Sequence, residues 1–273
     1  MRNIRWNLVL YTILGLLVFG GLVVLMGMIS RKDKAQNCAG LTVMVEGKET
    51  FIDQQDISNM IHSKFGDLLH MPLKEVKLHA IELEIERLPY VSAAEVYADM
   101  DGKIQVKVQQ REVLLRVINN NGKEYYVDAV GNKIPVTLKY VPHVLVASGH
   151  ISEGYSKPLE KVESQLLKDL IKIVDRVKDD NLWGNQIVQL YVNEQKDIEL
   201  IPRVGKELLV IGTADSLDYK LERLALYYTE IVPKVGAEAY QKVNVKYGGQ
   251  IICERKGNWI MDSLQFKMSM KNN

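Results

Sequence analysis

The amino-acid sequence predicts an α+β protein with an N-terminal transmembrane helix, a small domain of β-α-α-β-β order, and a larger antiparallel β domain with flanking helices. Three observations support this. One long segment near the N terminus has no charged side chain, short alternating apolar runs recur after it, and segments with apolar residues three or four apart lie between those runs. The predicted boundaries are a tail at 1–7, a membrane span at 8–29, a linker at 30–40, domains at 41–111 and 112–253, and a C-terminal tail at 254–273.

The uncharged segment runs from Leu8 to Ile29. It is long enough to span a membrane, because about 20 helical residues cross the hydrocarbon core. A cleaved signal peptide has a shorter apolar core and a small-residue cleavage site, so we expect an uncleaved anchor. Basic residues flank both ends, but long polar domains are translocated largely regardless of local charge. We therefore expect residues 1–7 in the cytoplasm and the bulk of the chain outside it.

The first domain begins with a β-branched run from Leu41 to Glu46, closed by Gly47, which predicts a strand and a turn. A helix follows for which Asp53 is the expected N-cap and Gly66 the expected stop. A second helix carries apolar residues at helical spacing until Pro89 ends it. Two strands, 91–98 and 103–110, then form a hairpin. An antiparallel sheet with both helices on one face would bury these apolar stripes.

The second domain is predicted to contain more strands and two longer helices. An Asn121-Gly122 turn joins the first two strands. Apolar spacing predicts one amphipathic helix from Leu159 to Val177 and another that begins at Asp215 or Ser216 and ends near Gly236. The predicted strands are 114–118, 124–127, 144–147, 187–192, 198–201, 208–211, 243–247 and 250–253, with a Gly248-Gly249 turn between the last two.

The composition argues against an enzyme and against nucleic-acid binding. With 35 basic and 34 acidic residues the chain has no global field that would attract nucleic acid. The five histidines lack the spacing of a zinc site, and no nucleophile elbow or glycine-rich phosphate loop is present. We therefore expect no cofactor, no metal and no small-molecule substrate. The two cysteines, Cys38 and Cys253, are predicted to be unpaired.

The last predicted strand is the most informative feature for function. A terminal hairpin at a sheet edge presents backbone amides and carbonyls that a strand from another protein can pair with. An alternative stays open at this point. Val245, Tyr247 and Ile251 would then simply belong to the core, and the tail from Glu254 to Asn273, with Trp259 in it, would cover the edge.

The first domain resembles a POTRA module. The residues that carry the resemblance are Ile52, Ile57, Ile81-Glu82, Leu88-Pro89-Tyr90-Val91, Ala94-Glu95-Val96 and the run from Val106 to Arg111. The second domain resembles the β domain of the bacterial cell-division family FtsQ/DivIB. That resemblance lies in the run from Gly122 to Gly131, in Ile211-Gly212-Thr213-Ala214-Asp215, and in the closing run from Lys242 to Cys253. The chain departs from the family pattern at Val113, where proline is frequent, and in its short cytoplasmic tail.

The resemblance implies a non-enzymatic divisome scaffold in the bacterial inner membrane at the septum. It implies binding of FtsB, together with FtsL, through the last strand, and contact of the POTRA module with FtsK. The residues that match the partner-binding motif are Lys246, Tyr247, Gly248, Gly249, Gln250, Ile251, Ile252 and Cys253. Replacing Ile251 by Asp is expected to abolish binding of FtsB. A secretion component with POTRA modules and a membrane-anchored cell-wall hydrolase are the alternatives, but neither a barrel-like repeat nor a catalytic set supports them.

Overall fold

The computed structural model describes residue 11, residues 14–24 and residues 36–256. The predicted cytoplasmic tail at 1–7 and most of the linker and C-terminal tail lie outside these ranges. The predicted span from Leu8 to Ile29 is described only at Tyr11 and at 14–24, which are helical. Within the described residues no helix combines the length and the apolar character that a bilayer crossing requires. The transmembrane anchor therefore stays a prediction.

The chain divides into two compact units, Met1–Gln110 and Arg111–Asn273. The elements of the first unit confirm the predicted β-α-α-β-β order. They are β1 (Gly40–Glu46), α1 (Gln54–Phe65), α2 (Leu78–Glu86), β2 (Val91–Ala98) and β3 (Lys103–Gln110).

Local interactions that the sequence predicted set both boundaries of α1. Asp53 is the N-cap of α1, and its carboxylate accepts a hydrogen bond from the Asp56 amide at 2.9 Å. The carboxylate of Asp56 in turn accepts from the Asp53 amide, also at 2.9 Å. This reciprocal pair satisfies two of the amides that a helix start leaves open. Gly66 ends α1 at a φ of 79°, in a region where only glycine is unstrained.

The three-stranded sheet of this unit has the order β1-β3-β2. The expectation of a purely antiparallel sheet was wrong, because β1 and β3 are parallel while β2 and β3 form the antiparallel hairpin. The chain leaves β1 through both helices, so β3 can enter between β1 and β2 in the direction of β1. The predicted stripes are buried: Ile57, Ile61, Ile81, Ile85, Ile104, Val106 and Val108 form the core.

The second unit is built on one nine-stranded sheet. Its elements are β4 (Val113–Ile118), β5 (Glu124–Asp128), β6 (Lys133–Pro135), β7 (Leu145–Gly149), α3 (Gln165–Lys178), α4 (Trp183–Gln186), β8 (Ile187–Val192), β9 (Ile198–Pro202), β10 (Leu208–Gly212), α5 (Leu217–Leu226), a π-helical turn (Tyr227–Ile231), α6 (Val232–Val235), β11 (Tyr240–Asn244) and β12 (Ile252–Arg255). The strand order is β12-β11-β10-β9-β8-β7-β4-β5-β6.

This larger sheet is mixed, so the predicted antiparallel β domain needs correction. Three strand pairs are parallel, namely β4 with β7, β7 with β8, and β10 with β11. Parallel neighbours need a crossover connection, which a tight hairpin turn cannot supply. Helix α3 makes the crossover from β7 to β8, and the segment that begins with α5 makes the one from β10 to β11. The helices were predicted, but not their use as crossovers.

Helix α3 begins later than predicted. Its N-cap is Ser164, whose hydroxyl accepts from the Leu167 amide at 3.3 Å, whereas the prediction began the helix at Leu159. The carboxylate of Glu153 explains the later start, because it accepts from the Glu163 amide at 2.9 Å and from the Ser164 amide at 2.8 Å. These two hydrogen bonds hold the residues just before α3 in a non-helical conformation. The buried face of α3 is as predicted from Leu170 onward.

Glu153 belongs to a buried ionic cluster around Lys133 of β6. The Lys133 ammonium lies 2.9 Å from Glu153 Oε1 and 3.2 Å from Glu160 Oε2, and it also donates to the Gly154 carbonyl at 2.8 Å. Burial alone raises the pKa of Glu153. Hydrogen bonds from Ser164, from the Glu163 amide and from Lys133 outweigh it and lower that pKa from 4.5 to about 2.

Replacing Glu153 by Gln is expected to lower the free energy of unfolding at pH 7 by about 1 to 3 kcal/mol, since hydrogen bonds to a charged group are lost. Because the folded pKa lies below the unfolded one, the carboxylate stabilises the fold fully above about pH 4.5, and this contribution is lost as the pH falls toward 2. Urea unfolding followed by circular dichroism at several pH values measures the difference. The exposed neighbour variant Glu163→Gln is the control, and an equal loss in both variants would contradict the assignment.

Candidate strand-binding site

The eight residues predicted to bind a partner lie at one end of the large sheet. Lys246 to Ile251 lie in the connection between β11 and β12, while Ile252 and Cys253 begin β12. The predicted strands, 243–247 and 250–253, were therefore displaced from the observed ones. The strand that reaches the edge also includes Glu254 and Arg255, which the prediction missed.

The side chain of Asn244 accounts for the displaced boundary. Its Oδ1 accepts from the Lys246 amide at 2.9 Å, a local bond that turns the chain away from the strand ladder. The Val245 amide donates instead to the carbonyl of Val210 in β10, at 3.0 Å. The turn is consequently a seven-residue connection, 245–251, and not the two-residue Gly248-Gly249 turn that was predicted.

Strand β12 has a strand neighbour on one side only within residues 36–256 of the described structure. It pairs antiparallel with β11, Cys253 opposite Val243 and Ile252 opposite Asn244. The side chain of Cys253 packs against the buried core, so β12 presents Ile252 and Glu254 on the other face. Ile252 is 39% exposed. A strand at the end of a sheet with an exposed apolar side chain can accept another strand through backbone pairing.

The connection before β12 is fastened to neighbouring elements. The ammonium of Lys246 lies 2.8 Å from Asp197, just before β9, and its hydrogen bond to that carboxylate raises the pKa of Lys246. The Gly249 amide donates to the hydroxyl of Tyr219 in α5 at 2.9 Å. Arg223 also donates to that hydroxyl. These bonds place the entry to β12 at a defined position, although Tyr247 and Gly248 remain exposed.

An open groove of about 440 Å³ lies between this connection and the start of α5. Lys220 in its lining is buried, and its ammonium donates to the Thr213 carbonyl at 2.9 Å. Burial lowers the pKa of Lys220, and nearby carboxylates, Asp215 first among them, oppose that effect. The hydrogen bond fixes the end of β10 next to the connection, so Lys220 has a structural use at this place.

Within residues 36–256, metal-ligating side chains are not clustered into a site at this edge. Across the described part of the chain, no three histidine, cysteine or acidic side chains come close enough together to hold a metal ion. Cys38 and Cys253 are both free thiols, and burial raises the pKa of Cys253, which makes its thiol a poor nucleophile at neutral pH. What the edge offers is backbone pairing and apolar contact.

A small β-α-α-β-β unit followed by a β domain that has β12 at the end of its described sheet is the architecture of a two-unit α+β protein. Residues 36–109 match the family model of the POTRA-like domain. Residues 113–254, more than half of the 273-residue chain, match the family described as FtsQ/DivIB, C-terminal related. The chain belongs to the FtsQ/DivIB family, and its role is that of a cell-division scaffold. No individually curated protein shows significant sequence similarity to the chain.

Sequence reasoning did not find Tyr219 as part of this site. The residue lies on α5, 30 positions from Gly249, and a single tyrosine on an amphipathic helix carries no signal of such a contact. Glu254 and Arg255 could have been found, because they continue the run that ends the predicted strand. Charged side chains at that place are typical of an exposed sheet edge.

Replacing Tyr219 by Phe is expected to free the connection before β12, because the Gly249 amide loses its acceptor. The loss of one such hydrogen bond costs about 0.5 to 1.5 kcal/mol, and amide exchange at Gly249 should accelerate accordingly, as measured by NMR. Tyr247→Phe is the matched control, since that side chain is exposed. Unchanged exchange at Gly249 in the Tyr219 variant would show that the hydroxyl does not hold the connection.

Proposed function

We propose that this protein couples early cytoplasmic division proteins to septal peptidoglycan synthesis outside the cytoplasm, by binding FtsB, together with FtsL, along β12. The observation that carries the proposal is the position of β12: the segment that matches the FtsQ/DivIB family ends in a strand whose outer side has no strand neighbour within residues 36–256. Such an edge supports binding by strand addition, in which the backbone supplies affinity and side chains supply specificity.

Within this proposal the eight predicted residues have two different tasks. Ile252 and Cys253, with Glu254 and Arg255 after them, offer the strand that a partner extends. Residues 246–251 lie beside its entry, where the exposed side chain of Tyr247 is available for contact. The exposed face of Ile252 gives a partner an apolar position to cover.

The remaining parts of the proposal concern the anchor and the small unit. A single-pass helix at Leu8–Ile29 would hold both units outside the cytoplasm, at the inner membrane of the division septum. The POTRA-like unit is proposed to contact FtsK, with no residues assigned. In this arrangement the partner contacts of both units lie outside the cytoplasm.

Conditional depletion of the protein tests the division role. Smooth filamentous cells with segregated chromosomes and incomplete septa are expected, because a missing scaffold blocks septal synthesis and leaves growth and chromosome segregation intact. Fluorescence microscopy of membrane and DNA stains during depletion gives the answer. Re-expression of the wild-type chain is the control, and normal division after full depletion would refute the role.

Replacing Ile252 by Asp is expected to reduce capture of FtsB and FtsL by about tenfold or more, since each loss of about 1.4 kcal/mol in the interface is a factor of ten. Co-purification of the two partners with the full-length chain measures this. Ile251→Asp is less informative, because Ile251 packs partly against the core and the variant would also disturb folding.

Val188→Asp is the matched control for this variant. The exposed fraction of Val188, 36%, is similar to that of Ile252, 39%. Val188 lies on β8, however, which has strand neighbours on both sides. A charge there alters the same sheet without touching its edge. Equal capture by the Ile252 variant and the control would refute β12 as the partner site.

A further inference from the structure

Strand β1 lies at one end of the small sheet, and within residues 36–256 its strand neighbour is β3, on the inner side. Three apolar side chains of β1 on the helix side of the sheet are only half-buried, namely Leu41, Val43 and Val45. The β3 side chains beside them in the same register are buried. The core of the small unit is therefore incompletely covered at β1, and a further strand outside β1 would bury these side chains.

A loop determines where the open outer edge of β1 begins. The Cys38 amide donates to the Met71 carbonyl at 2.8 Å, and the Cys38 carbonyl accepts from the His70 amide at 2.9 Å. The Gly40 carbonyl accepts only a long contact from the Cys38 thiol, at 3.5 Å. From residue 42 to residue 46, no backbone hydrogen bond to an outer neighbour occurs in the part of the chain that the structure describes.

The backbone of β1 alternates in direction, which identifies the groups that face outward. The Ala39 amide donates inward, to the Gly102 carbonyl at 2.9 Å. Successive amides of a strand point to opposite sides. Every second residue from Gly40 to Glu46 therefore directs its amide and carbonyl outward. The stretch ends at Gly47, where a φ of 134° turns the chain away.

This open stretch lacks the features that prevent an exposed edge from pairing. Natural sheets use lysine, proline or inward-pointing charges for that purpose. From Gly40 to Val45 the residues are Gly-Leu-Thr-Val-Met-Val, with no charge and no proline. Met44 in its middle is 37% exposed. An edge of this kind is suited to pairing with another strand.

We propose that the outer edge of β1 pairs with β1 of a second copy of this chain, across a twofold axis that passes through Val43. An axis perpendicular to the sheet relates identical strands as antiparallel neighbours. Thr42 then lies opposite Met44 of the second copy, and Gly40 opposite its Glu46. All four direct their backbone groups outward, so these pairs exchange hydrogen bonds. The proposal does not depend on partner binding along β12, which lies in the other unit.

The apolar side chains of β1 are self-complementary in this register. Val43 lies opposite Val43 of the second copy, and Leu41 lies opposite its Val45. Cross-strand pairs of β-branched and aliphatic side chains stabilise a sheet. At Leu41 the edge also borders a cavity of about 230 Å³, which Ile61 and Leu68 help to line. The second copy's valine therefore has apolar space to enter at this end.

Charge favours a second copy as the occupant of this edge. Glu46 is the charged residue of β1, and the register places it opposite Gly40, which has no side chain. Lys103 of β3 is the neighbour of Gly40 on the inner side, and it is exposed. Two strand spacings are about 9.6 Å, a distance that an extended glutamate and an extended lysine span together. Twofold symmetry forms this ion pair twice, and no like charges of the two β1 strands face each other.

Disulfide cross-linking of the full-length chain in detergent tests the register. Both native cysteines are replaced, by Cys38→Ala and Cys253→Ser, and circular dichroism checks that this background is folded. Val43→Cys is expected to form an intermolecular disulfide at least about tenfold faster than Thr42→Cys or Val45→Cys. The two Val43 Cα atoms would lie about 4.5 Å apart, which suits a disulfide. The other two positions are displaced from their counterparts along the strand. Equal rates at the three positions would overturn the proposal.

Charge reversal gives a second test on exposed side chains. Glu46→Lys and Lys103→Glu are each expected to raise the dissociation constant of the dimer at least about threefold, because one surface ion pair contributes modestly and symmetry removes two. The double variant is expected to restore the wild-type value. Sedimentation equilibrium of the full-length chain in detergent measures the constant. Glu95→Lys, on strand β2 at the other end of the sheet, is the matched control. A monomer at all concentrations, or single variants that associate like the control, would overturn the proposal.

Hydrogen exchange separates a second copy from other covers of the edge. The Thr42 and Met44 amides face outward, so they are expected to exchange slowly in the dimer and at least about tenfold faster after dilution to the monomer. Slow exchange that persists in the monomer would show that another segment of the same chain covers β1. Fast exchange in the dimer would show that the two copies meet elsewhere. Either result would overturn the proposal.

Discussion

Packing of α3 and α5 against the large sheet determines where β12 lies in that sheet. Both helices bury apolar residues in one shared core, including Leu170, Ile173 and Leu221. An ion pair between Arg176 of α3 and Asp218 of α5, at 2.6 Å, joins the two helices. Because the segment from α5 to α6 crosses from β10 to a parallel β11, the hairpin that follows can only add a strand outside β11. The edge character of β12 is therefore a consequence of a crossover formed far from it in sequence.

The sequence was a good guide wherever a side chain acts on its own neighbours. The cap at Asp53, the stop at Gly66 and the stripe on α3 each depend on contacts within a few residues, and all were predicted. The relative directions of the strands were not predicted. The parallel pairs β4 with β7 and β10 with β11 depend on which strand is adjacent in space, and neither alternation nor turn residues contain that information.

The errors in strand boundaries, at the candidate site and at the opposite end of the sheet, have similar causes. The strand boundary moved because Asn244 bonds locally to the Lys246 amide, a bond that competes with the ladder and that composition does not reveal. Strand β6 was missed because Lys133-Ile134-Pro135 is short and shows no alternation. A lysine in such a segment is expected to be exposed, yet Lys133 is buried among carboxylates. The general position of the last strand was predictable, but its bounds, Ile252–Arg255, were not.

The size of β12 limits what strand pairing can contribute to partner binding. A strand added to four residues gains roughly two to four backbone hydrogen bonds, each worth about 0.5 to 1.5 kcal/mol net. Association of two proteins costs about 4 to 15 kcal/mol in lost translational and rotational freedom. Pairing alone does not cover that cost, so a partner must also bury side chains such as Ile252 and Tyr247, both exposed.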